Sequence, residues 1–322
     1  MLFRRPCYFD SFTCTADKCS DNCCIGWEIC IDSETACFYK SVKGDFGKRL
    51  EENISHSDEP SFILKGERCP FLNESNLCDI ISTLGENALC QICRDHPRWF
   101  EWYGNEKEGG IGLSCEEAAR LILSEESFAD YFEGEVDDYP DEDFDTDAYN
   151  FLLKVRDRIF DILCDGELSF KEKAYAILKL CSEAEAMLSG TEKNEIAPFD
   201  LDNELIKAIE ILGKTEPIDE KWTEAYERLK ASMPSLSPTC DEEKYLTRLF
   251  AYFVWRYFLT SVFDYNVTEK IKLALFGVTV IYALYNMSEE KNESSLIKAA
   301  VLFSKQMEYS SENLELFFIS CR

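Results

Sequence analysis

The chain has 322 residues, of which 46% are hydrophobic and 30% charged, a balance typical of globular proteins. Its net charge of −28 repels phosphate groups, so we expect neither nucleic acid nor an anionic membrane as a partner. A cationic substrate, such as a lysine-bearing protein, would be attracted to this surface. An acidic surface kept for solubility is the simpler alternative.

The sequence contains no apolar stretch of eighteen residues, and the nearest candidate, "LALFGVTVIYALY" (273–285), predicts a buried helix. The N-terminal segment "MLFRRPCYFDSF" has basic residues but no apolar run after them, unlike a signal peptide. We therefore expect a cytoplasmic protein. Sixteen cysteines in a chain of this kind favour a metal or iron–sulfur site over a disulfide framework.

The N-terminal part, 1–124, is predicted to be a cysteine-rich metal-binding domain of loops, short helices and few strands. "WEICID" (27–32) and "GIGLS" (110–114) could form short strands. "SCEEAARLILS" (114–124) predicts a helix that Ser114 caps, because Glu117 follows three residues later. Twelve of the sixteen cysteines precede residue 116: Cys7, Cys14, Cys19, Cys23, Cys24, Cys30, Cys37, Cys69, Cys78, Cys90, Cys93 and Cys115.

An acidic segment follows at 125–147, with twelve Asp and Glu residues and no Lys or Arg, and we predict a linker there. Beyond it, 148–322 is predicted to be an α-helical bundle, because apolar residues recur at helical spacing. Ser169 and Glu172 form a capping box at the start of one helix, which ends at Gly190. The other predicted helices cover 148–165, 202–213, 220–232, 241–264, 269–287 and 294–320. The fold class is therefore mainly α.

The N-terminal cysteines are spaced as Cys14-x4-Cys19-x3-Cys23-Cys24, then Cys69-x8-Cys78-x11-Cys90-x2-Cys93, then Cys115. A zinc ribbon repeats C-x2-C twice, but here only Cys90 and Cys93 have that separation. The C-x2-C-x2-C run of a bacterial ferredoxin is also missing, and two histidines are too few for a finger with two ligands of each kind. The spacing predicts a metal site but leaves its ligand set open.

Four ordered motifs resemble those of the flagellin lysine-N-methylase family: "FTCTADKCSDNCCIGWEICID", "RCPFLNESNLCDI", "LGENALCQICRDHPRW" and "GLSCEEAARLIL". The segment "FSKQMEYSSENLELF" (303–317) is similar to the closing segment of that family. The resemblance covers most of the chain, although 125–240 matches only in character. It implies a [4Fe–4S] cluster, with zinc as the alternative metal, and S-adenosylmethionine-dependent methylation of lysines in flagellin, a protein of the bacterial flagellum.

The resemblance also implies metal ligands, because eight cysteines fall on the family's recurring positions: Cys14, Cys19, Cys23, Cys24, Cys69, Cys78, Cys93 and Cys115. Cys90 is a further candidate, and the choice of four among them stays open. We favour the clustered N-terminal thiols together with one or more from the second group. Cys7, Cys30 and Cys37 lie outside these positions and are predicted to be buried small hydrophobic residues.

Other residues near the cysteines have possible roles. Arg98 falls on the family's Pro-Arg pair and could stabilise a cluster or bind the carboxylate of S-adenosylmethionine, with a salt bridge to Asp95 as the alternative. Trp27 is predicted to pack in the core, with a stacking role as the alternative, and Asp32 to cap a helix. His96 could ligate a metal but is predicted to be a hydrogen-bonding surface residue.

The C-terminal part offers two candidates for binding a substrate lysine. Glu308 and Tyr309 could accept and orient its ammonium group, or they could form an ordinary helix face. A stripe of aromatic residues could enclose the lysine through cation–π contacts, but at helical spacing it is predicted to be core. The stripe comprises Tyr245, Phe250, Tyr252, Phe253, Trp255, Tyr257 and Phe258.

The sequence contains neither a G-x-G-x-x-G loop after a strand nor the C-x3-C-x2-C triplet of radical S-adenosylmethionine enzymes. The expected reaction is therefore a direct displacement, in which lysine loses its proton and attacks the sulfonium methyl group. A cluster would then act electrostatically or anchor S-adenosylmethionine, and the helical domain would present the lysine across an acidic groove. The alternatives are a non-catalytic or redox iron-binding protein and a structural zinc module that serves as an adaptor.

Overall fold

The computed structural model of the protein describes residues 1–137 and 145–321. These residues are mainly helical with one small sheet, which confirms the predicted mainly-α class. The chain divides into two compact units. Unit 1 comprises Met1–Phe12, Phe100–Ser114 and Ala118–Arg322, and unit 2 comprises Thr13–Trp99 and Cys115–Glu117. In the part of the chain that the structure describes, we find no helix long and apolar enough to cross a membrane.

The sheet has four strands in the order β2-β3-β1-β4, and β1 runs parallel to β3 and antiparallel to β4. Their bounds are β1 Leu2–Pro6, β2 Arg98–Tyr103, β3 Glu106–Ile111 and β4 Tyr131–Glu135. β4 lies within the predicted acidic linker, of which 138–144 falls outside the described residues. The first strand and the β3 hairpin belong to the helical unit, whereas the sequence grouped all of 1–124 together.

Unit 2 is built from short helices around a small apolar core. They are α1 Ser33–Ser41, α2 Gly44–Glu52, α3 Asp79–Leu84 and α4 Gln91–Asp95, and α5 Glu116–Ser124 begins at its last residues. Asp32 caps α1 by accepting a hydrogen bond from the Thr35 amide, as predicted. The strand predicted at 27–32 is wrong, because this segment forms only an isolated bridge between Cys30 and Ser61 before α1 begins.

Unit 1 contains the long helices: α6 Thr146–Cys164, α7 Phe170–Ser189, α8 Leu201–Leu212, α9 Glu220–Ser232, α10 Cys240–Tyr257, α11 Val267–Asn286, α12 Glu293–Glu308 and α13 Ser311–Cys321. The capping box of Ser169 and Glu172 forms at α7, and Gly190 ends this helix with a left-handed backbone. α11 is buried on all sides, as its apolar composition predicts.

The single helix predicted at 294–320 is wrong, because α12 and α13 are separated at Tyr309 and Ser310. The Ser310 hydroxyl accepts a hydrogen bond from the Asn313 amide and so begins a new helix. The buried Asn313 side chain then donates to the Gln306 carbonyl at 2.9 Å, which holds the two helices at an angle. Local polar contacts thus interrupt a pattern that is helical throughout.

Candidate functional site

Six cysteines gather in the core of unit 2, and we call them the thiol cluster: Cys23, Cys24, Cys69, Cys78, Cys90 and Cys93. The thiols of Cys23 and Cys24 are hydrogen-bonded, and so are those of Cys90 and Cys93. Cys24 also interacts electrostatically with Cys69, Cys78 and Cys93. Three separate stretches of the chain therefore bring their thiols to one place.

Backbone pairing brings the first two stretches together. The Cys69 amide donates to the Cys24 carbonyl at 2.9 Å, so these two residues lie side by side. A bridge between Leu72 and Cys78 then turns the chain back, and Cys78 becomes the N-cap residue of α3. The thiols of Cys24, Cys69 and Cys78 are fixed by this local folding.

The third stretch is held by contacts with α1. Cys90 is the N-cap residue of α4, and the Asp32 carboxylate accepts a hydrogen bond from the Gln91 amide at 2.8 Å. The buried Tyr39 hydroxyl donates to the Ala88 carbonyl at 2.7 Å. These two bonds position the C-x2-C pair against the core, where Cys90 is only 1% exposed.

Crowding in an apolar environment determines the protonation of these thiols. The pKa of Cys24 and that of Cys93 are raised, mainly by the hydrogen bond to a neighbouring thiol and secondly by burial. The hydrogen bond from Cys93 lowers the pKa of Cys90, and burial raises that of Cys69 to about 11. Cys24, Cys69 and Cys93 therefore keep their protons until a cation offsets the charge of the thiolates.

All sixteen cysteines are free thiols, so the structure contains no disulfide framework. Among residues 1–137 and 145–321, no three His, Cys, Asp or Glu side chains form a group that could hold a metal ion. The donors of the thiol cluster nevertheless match the chemistry of soft metals, because thiolates select iron–sulfur clusters and zinc. The structure thus gathers suitable donors without a finished coordination geometry.

Three further residues of unit 2 form a second set of contacts, which we call the Cys19 group: Cys19, Cys115 and Glu116. The Cys19 thiol lies 3.4 Å from a carboxylate oxygen of Glu116 and interacts electrostatically with Cys115. The Ser20 amide donates to the same carboxylate at 2.7 Å. Cys14 is exposed, and its sulfur accepts a hydrogen bond from the Ala16 amide. Two different groups of side chains therefore contact Cys24 and Cys19.

In unit 1, Glu308 lies at the centre of a buried polar network that we call the Glu308 network. One of its carboxylate oxygens accepts hydrogen bonds from the hydroxyls of Tyr252 at 2.8 Å and Tyr257 at 2.9 Å. The same oxygen lies 3.0 Å from the Arg256 guanidinium, and the other accepts a hydrogen bond from Ser304. The Glu308 side chain is only 3% exposed.

These contacts limit what Glu308 can do. A carboxylate has about four lone-pair sites, and four polar groups already contact this one. Burial and the Glu308 charge raise the pKa of Tyr252 and of Tyr257, so both phenols stay protonated donors. Glu308 is therefore well suited to holding Arg256 and the two tyrosines in place. Tyr309 is the half-buried C-cap residue of α12.

A second acidic residue, Glu101, lies near Arg256. Sequence reasoning missed Glu101. It lies on β2, and burial raises the pKa of its carboxyl group against the opposing effect of Arg256. A buried carboxyl group with a raised pKa is a better proton acceptor than a carboxylate whose oxygens already accept several hydrogen bonds. The only sequence signal was its place between aromatic residues in "RWFEWY".

Comparison with known proteins bears on this arrangement of thiols. Over 129 residues the chain is 33% identical to the flagellar biosynthetic protein FliU of Salmonella muenchen, and the match covers 38% of this chain and 76% of that protein. The chain belongs to the flagellin lysine-N-methylase family. It is also 32% identical, over 129 residues, to the proteins named lysine-N-methylase from Salmonella typhimurium and Salmonella choleraesuis.

The match to those two lysine-N-methylases covers 38% of this chain but only 32% of each relative, so it spans about a third of their length. No family model and no solved structure matches the chain. The resemblance seen in the sequence motifs is thus confirmed at the level of the family.

The cysteines at the family's recurring positions do not all lie together. Five of the eight belong to the thiol cluster, whereas Cys19 and Cys115 lie in the Cys19 group. Cys90, which the predicted set of eight omits, is hydrogen-bonded to Cys93 inside the thiol cluster. Its C-x2-C spacing was the available signal. The metal-binding role of all these residues stays a prediction.

The prediction that Cys7, Cys30 and Cys37 are buried is wrong, because Cys30 and Cys37 are exposed and Cys7 is half-buried. Cys30 lies between buried Ile29 and Ile31, and side chains of an extended backbone alternate in direction. Cys37 follows buried Ala36 on α1 and faces away from the core. In this family member, position on the element decides the exposure of these thiols.

The remaining predicted residues of the N-terminal part are Trp27, His96 and Arg98. Trp27 packs against the core of unit 2, as predicted, and its ring centroid lies 5.7 Å from that of His96. His96 is the C-cap residue of α4 and is half-buried. Arg98 begins β2 and is half-buried, and its proposed contact with a cofactor stays a prediction.

Proposed function

We propose that this protein transfers a methyl group from S-adenosylmethionine to lysine side chains of flagellin, with a [4Fe–4S] cluster bound by cysteine thiolates. The similarity to proteins named lysine-N-methylase carries this proposal. The thiol cluster supports its second half, because it gathers six soft donors, five of which lie in or against an apolar core.

Four of the six thiols would bind the iron–sulfur cluster. Each of the four irons would be held by its own thiolate, so the four ligand sulfurs need not converge on one point as those of a single zinc ion do. Thiols that neighbour one another without converging on one point are compatible with such a cluster. When bound, the cluster would act electrostatically on S-adenosylmethionine bound near it. Arg98 remains a candidate partner for that carboxylate.

The methyl transfer itself needs an unprotonated lysine. The amine nitrogen forms a bond to the methyl carbon, the carbon–sulfur bond breaks, and S-adenosylhomocysteine leaves with the electron pair. The ammonium proton must go first to a base, because lysine has an ordinary pKa of about 10.4. We propose that a carboxylate or a tyrosine accepts this proton, and that Glu308 positions Arg256 within unit 1.

The test begins with protein purified without oxygen, analysed for iron and for iron–sulfur absorbance, and then incubated with labelled S-adenosylmethionine and flagellin. We expect about four irons per chain and label on flagellin lysines. Cys93→Ala should lose both, whereas Cys37→Ala, which changes an exposed cysteine, should keep both. Methyl transfer that survives loss of the iron would disprove the role of the cluster.

A second outcome would favour the iron-binding alternative. Bound iron without affinity for S-adenosylmethionine and without methyl transfer would indicate a redox or storage protein built on the same thiols. Colourless protein with zinc, even after anaerobic reconstitution, would indicate the structural adaptor.

A further inference from the structure

The strand β4 forms one edge of the sheet in unit 1. It pairs with β1 on one side, and among residues 1–137 and 145–321 no further strand pairs with its other side. Four of its five residues are exposed, and Tyr131 and Phe132 are exposed by 42% and 51%. An exposed edge presents backbone donors and acceptors that can pair with another chain.

The hydrogen bonds to β1 show which backbone groups face outward. Met1 and Val136 exchange both of their backbone hydrogen bonds, and the Cys7 amide donates to the Asp130 carbonyl. In an antiparallel pair such residues alternate with residues whose amide and carbonyl point away from the partner strand. With the observed register, the outward-facing residues are Tyr131, Glu133 and Glu135.

The charged side chains around this edge are mostly acidic. Glu133 and Glu135 lie on the strand, and the flanking positions carry Glu126, Asp130 and Asp137, all of them exposed. The basic residues opposite β4 on β1 are already paired. Arg4 binds Glu106 and Glu133, and Arg5 binds Asp10 at 2.7 Å.

We infer that the outer edge of β4 binds an extended, lysine-bearing segment of a protein substrate by adding it to the sheet as a further strand. Backbone bonds at Tyr131, Glu133 and Glu135 would hold the segment, and the acidic side chains would attract its lysines. This inference rests on the proposed function for its choice of partner, because a lysine methylase must recognise lysine-bearing chains.

The sharpest test removes one outward amide without disturbing the fold. Proline at position 135 lacks the amide hydrogen, and proline is accepted on an edge strand where that hydrogen faces solvent. Glu135→Pro therefore leaves the ladder between β4 and β1 intact, because Glu135 does not bond to β1. Glu135→Ala is the matched control, which removes the carboxylate but keeps the amide.

Binding is measured by titrating each variant, without S-adenosylmethionine, with a synthetic peptide in which lysine alternates with threonine. A second peptide carries glutamate in place of lysine. We expect Glu135→Pro to bind the lysine peptide about five- to tenfold more weakly than Glu135→Ala, which corresponds to the loss of one hydrogen bond. The glutamate peptide should bind neither the wild type nor the variants.

Two results would overturn the inference: equal binding of the lysine peptide by Glu135→Pro and Glu135→Ala, or equal binding of both peptides by the wild type. Circular dichroism and thermal unfolding identify a variant that has lost its fold. The comparison of Glu133→Pro with Glu133→Ala then replaces the first pair, because residue 133 also faces outward and both variants lose its contact with Arg4. Peptide binding without any methyl transfer to flagellin would retain the docking edge and reject the proposed function. Methyl transfer with an unchanged KM in the proline variant would retain the proposed function and reject the docking edge.

Discussion

The Glu108 carboxylate contacts the Arg156 guanidinium through two hydrogen bonds of 2.6 and 2.7 Å, and each side chain is only 2% exposed. Arg156 also lies over the Trp255 ring, with 4.4 Å from its guanidinium carbon to the ring centroid. Arg4 approaches the same carboxylate at 3.4 Å. A charged network thus lies between the sheet and α6 inside unit 1.

We expect Arg156→Met to lower the free energy of unfolding by about 3–5 kcal/mol, because it leaves the buried Glu108 without its main partner. The double variant Arg156→Met with Glu108→Leu should recover most of this loss, since it removes both charges. Chemical denaturation of the wild type, the single variant and the double variant measures the effect. A double variant no more stable than Arg156→Met would contradict this account.

The helical half could be predicted from sequence because its signals are local. Periodic apolar residues, the capping box at Ser169 and the glycine at 190 determine α7 without help from distant contacts. β4 could not be predicted in this way. Its exposed sequence "YFEGE" has no buried face, and the strand forms because β1 lies beside it.

The candidate site likewise combines residues that local motifs identify with contacts that local motifs cannot predict. Cysteine motifs identified the residues of the thiol cluster, but spacing could not show that Cys19 contacts Glu116 rather than Cys24. Glu308 was a candidate from its segment alone, whereas its partners Tyr252 and Arg256 lie more than fifty residues earlier in the chain. Long-range packing decides which candidates meet, and no local pattern encodes it.

The Asp32 carboxylate connects α1 with α4, because it accepts hydrogen bonds from the amides of Thr35 and Gln91. These bonds outweigh its desolvation by burial and lower its pKa. Asp32→Ala should reduce the free energy of unfolding by about 1–2 kcal/mol at neutral pH. Glu34→Ala, on an exposed position of the same helix, should change it by less than about 0.5 kcal/mol.

The effect of Asp32 depends on pH with a defined sign. A carboxyl group whose pKa is lower in the folded state stabilises the protein above its unfolded pKa of about 3.9, and this contribution is lost as pH falls through the folded value. The difference between wild type and Asp32→Ala should therefore be constant near neutral pH and shrink below about pH 4. Urea unfolding at several pH values measures this, and a difference independent of pH would contradict the assignment.

Glu308→Gln should destabilise unit 1 by about 3 kcal/mol, because Arg256 then keeps its buried charge next to a neutral amide. Tyr252→Phe should cost only about 1–2 kcal/mol, since it removes one hydrogen bond and no charge. Glu315→Gln, on an exposed position of α13, is the control for loss of a carboxylate. Equal effects of the three substitutions in chemical denaturation would show that the Glu308 network contributes no stability.

Cysteine labelling distinguishes the thiol cluster from the Cys19 group as the binding site of the cofactor. In reduced, metal-free protein, a brief exposure to iodoacetamide should first modify the five exposed thiols: Cys14, Cys30, Cys37, Cys164 and Cys240. Cys181 should react last, because it is fully buried in α7. Mass spectrometry of proteolytic fragments measures the modification at each position.

Reconstitution with iron and sulfide should then protect members of the thiol cluster, because a ligated thiolate cannot attack the reagent. Under partly denaturing conditions that expose the cluster in the metal-free protein, Cys24 and Cys93 should be modified without iron and protected with it. Cys19 should be modified equally in both samples, because it contacts Glu116 instead of the cluster thiols. Protection of Cys19 and Cys115 with free Cys24 and Cys93 would place the cofactor in the Cys19 group.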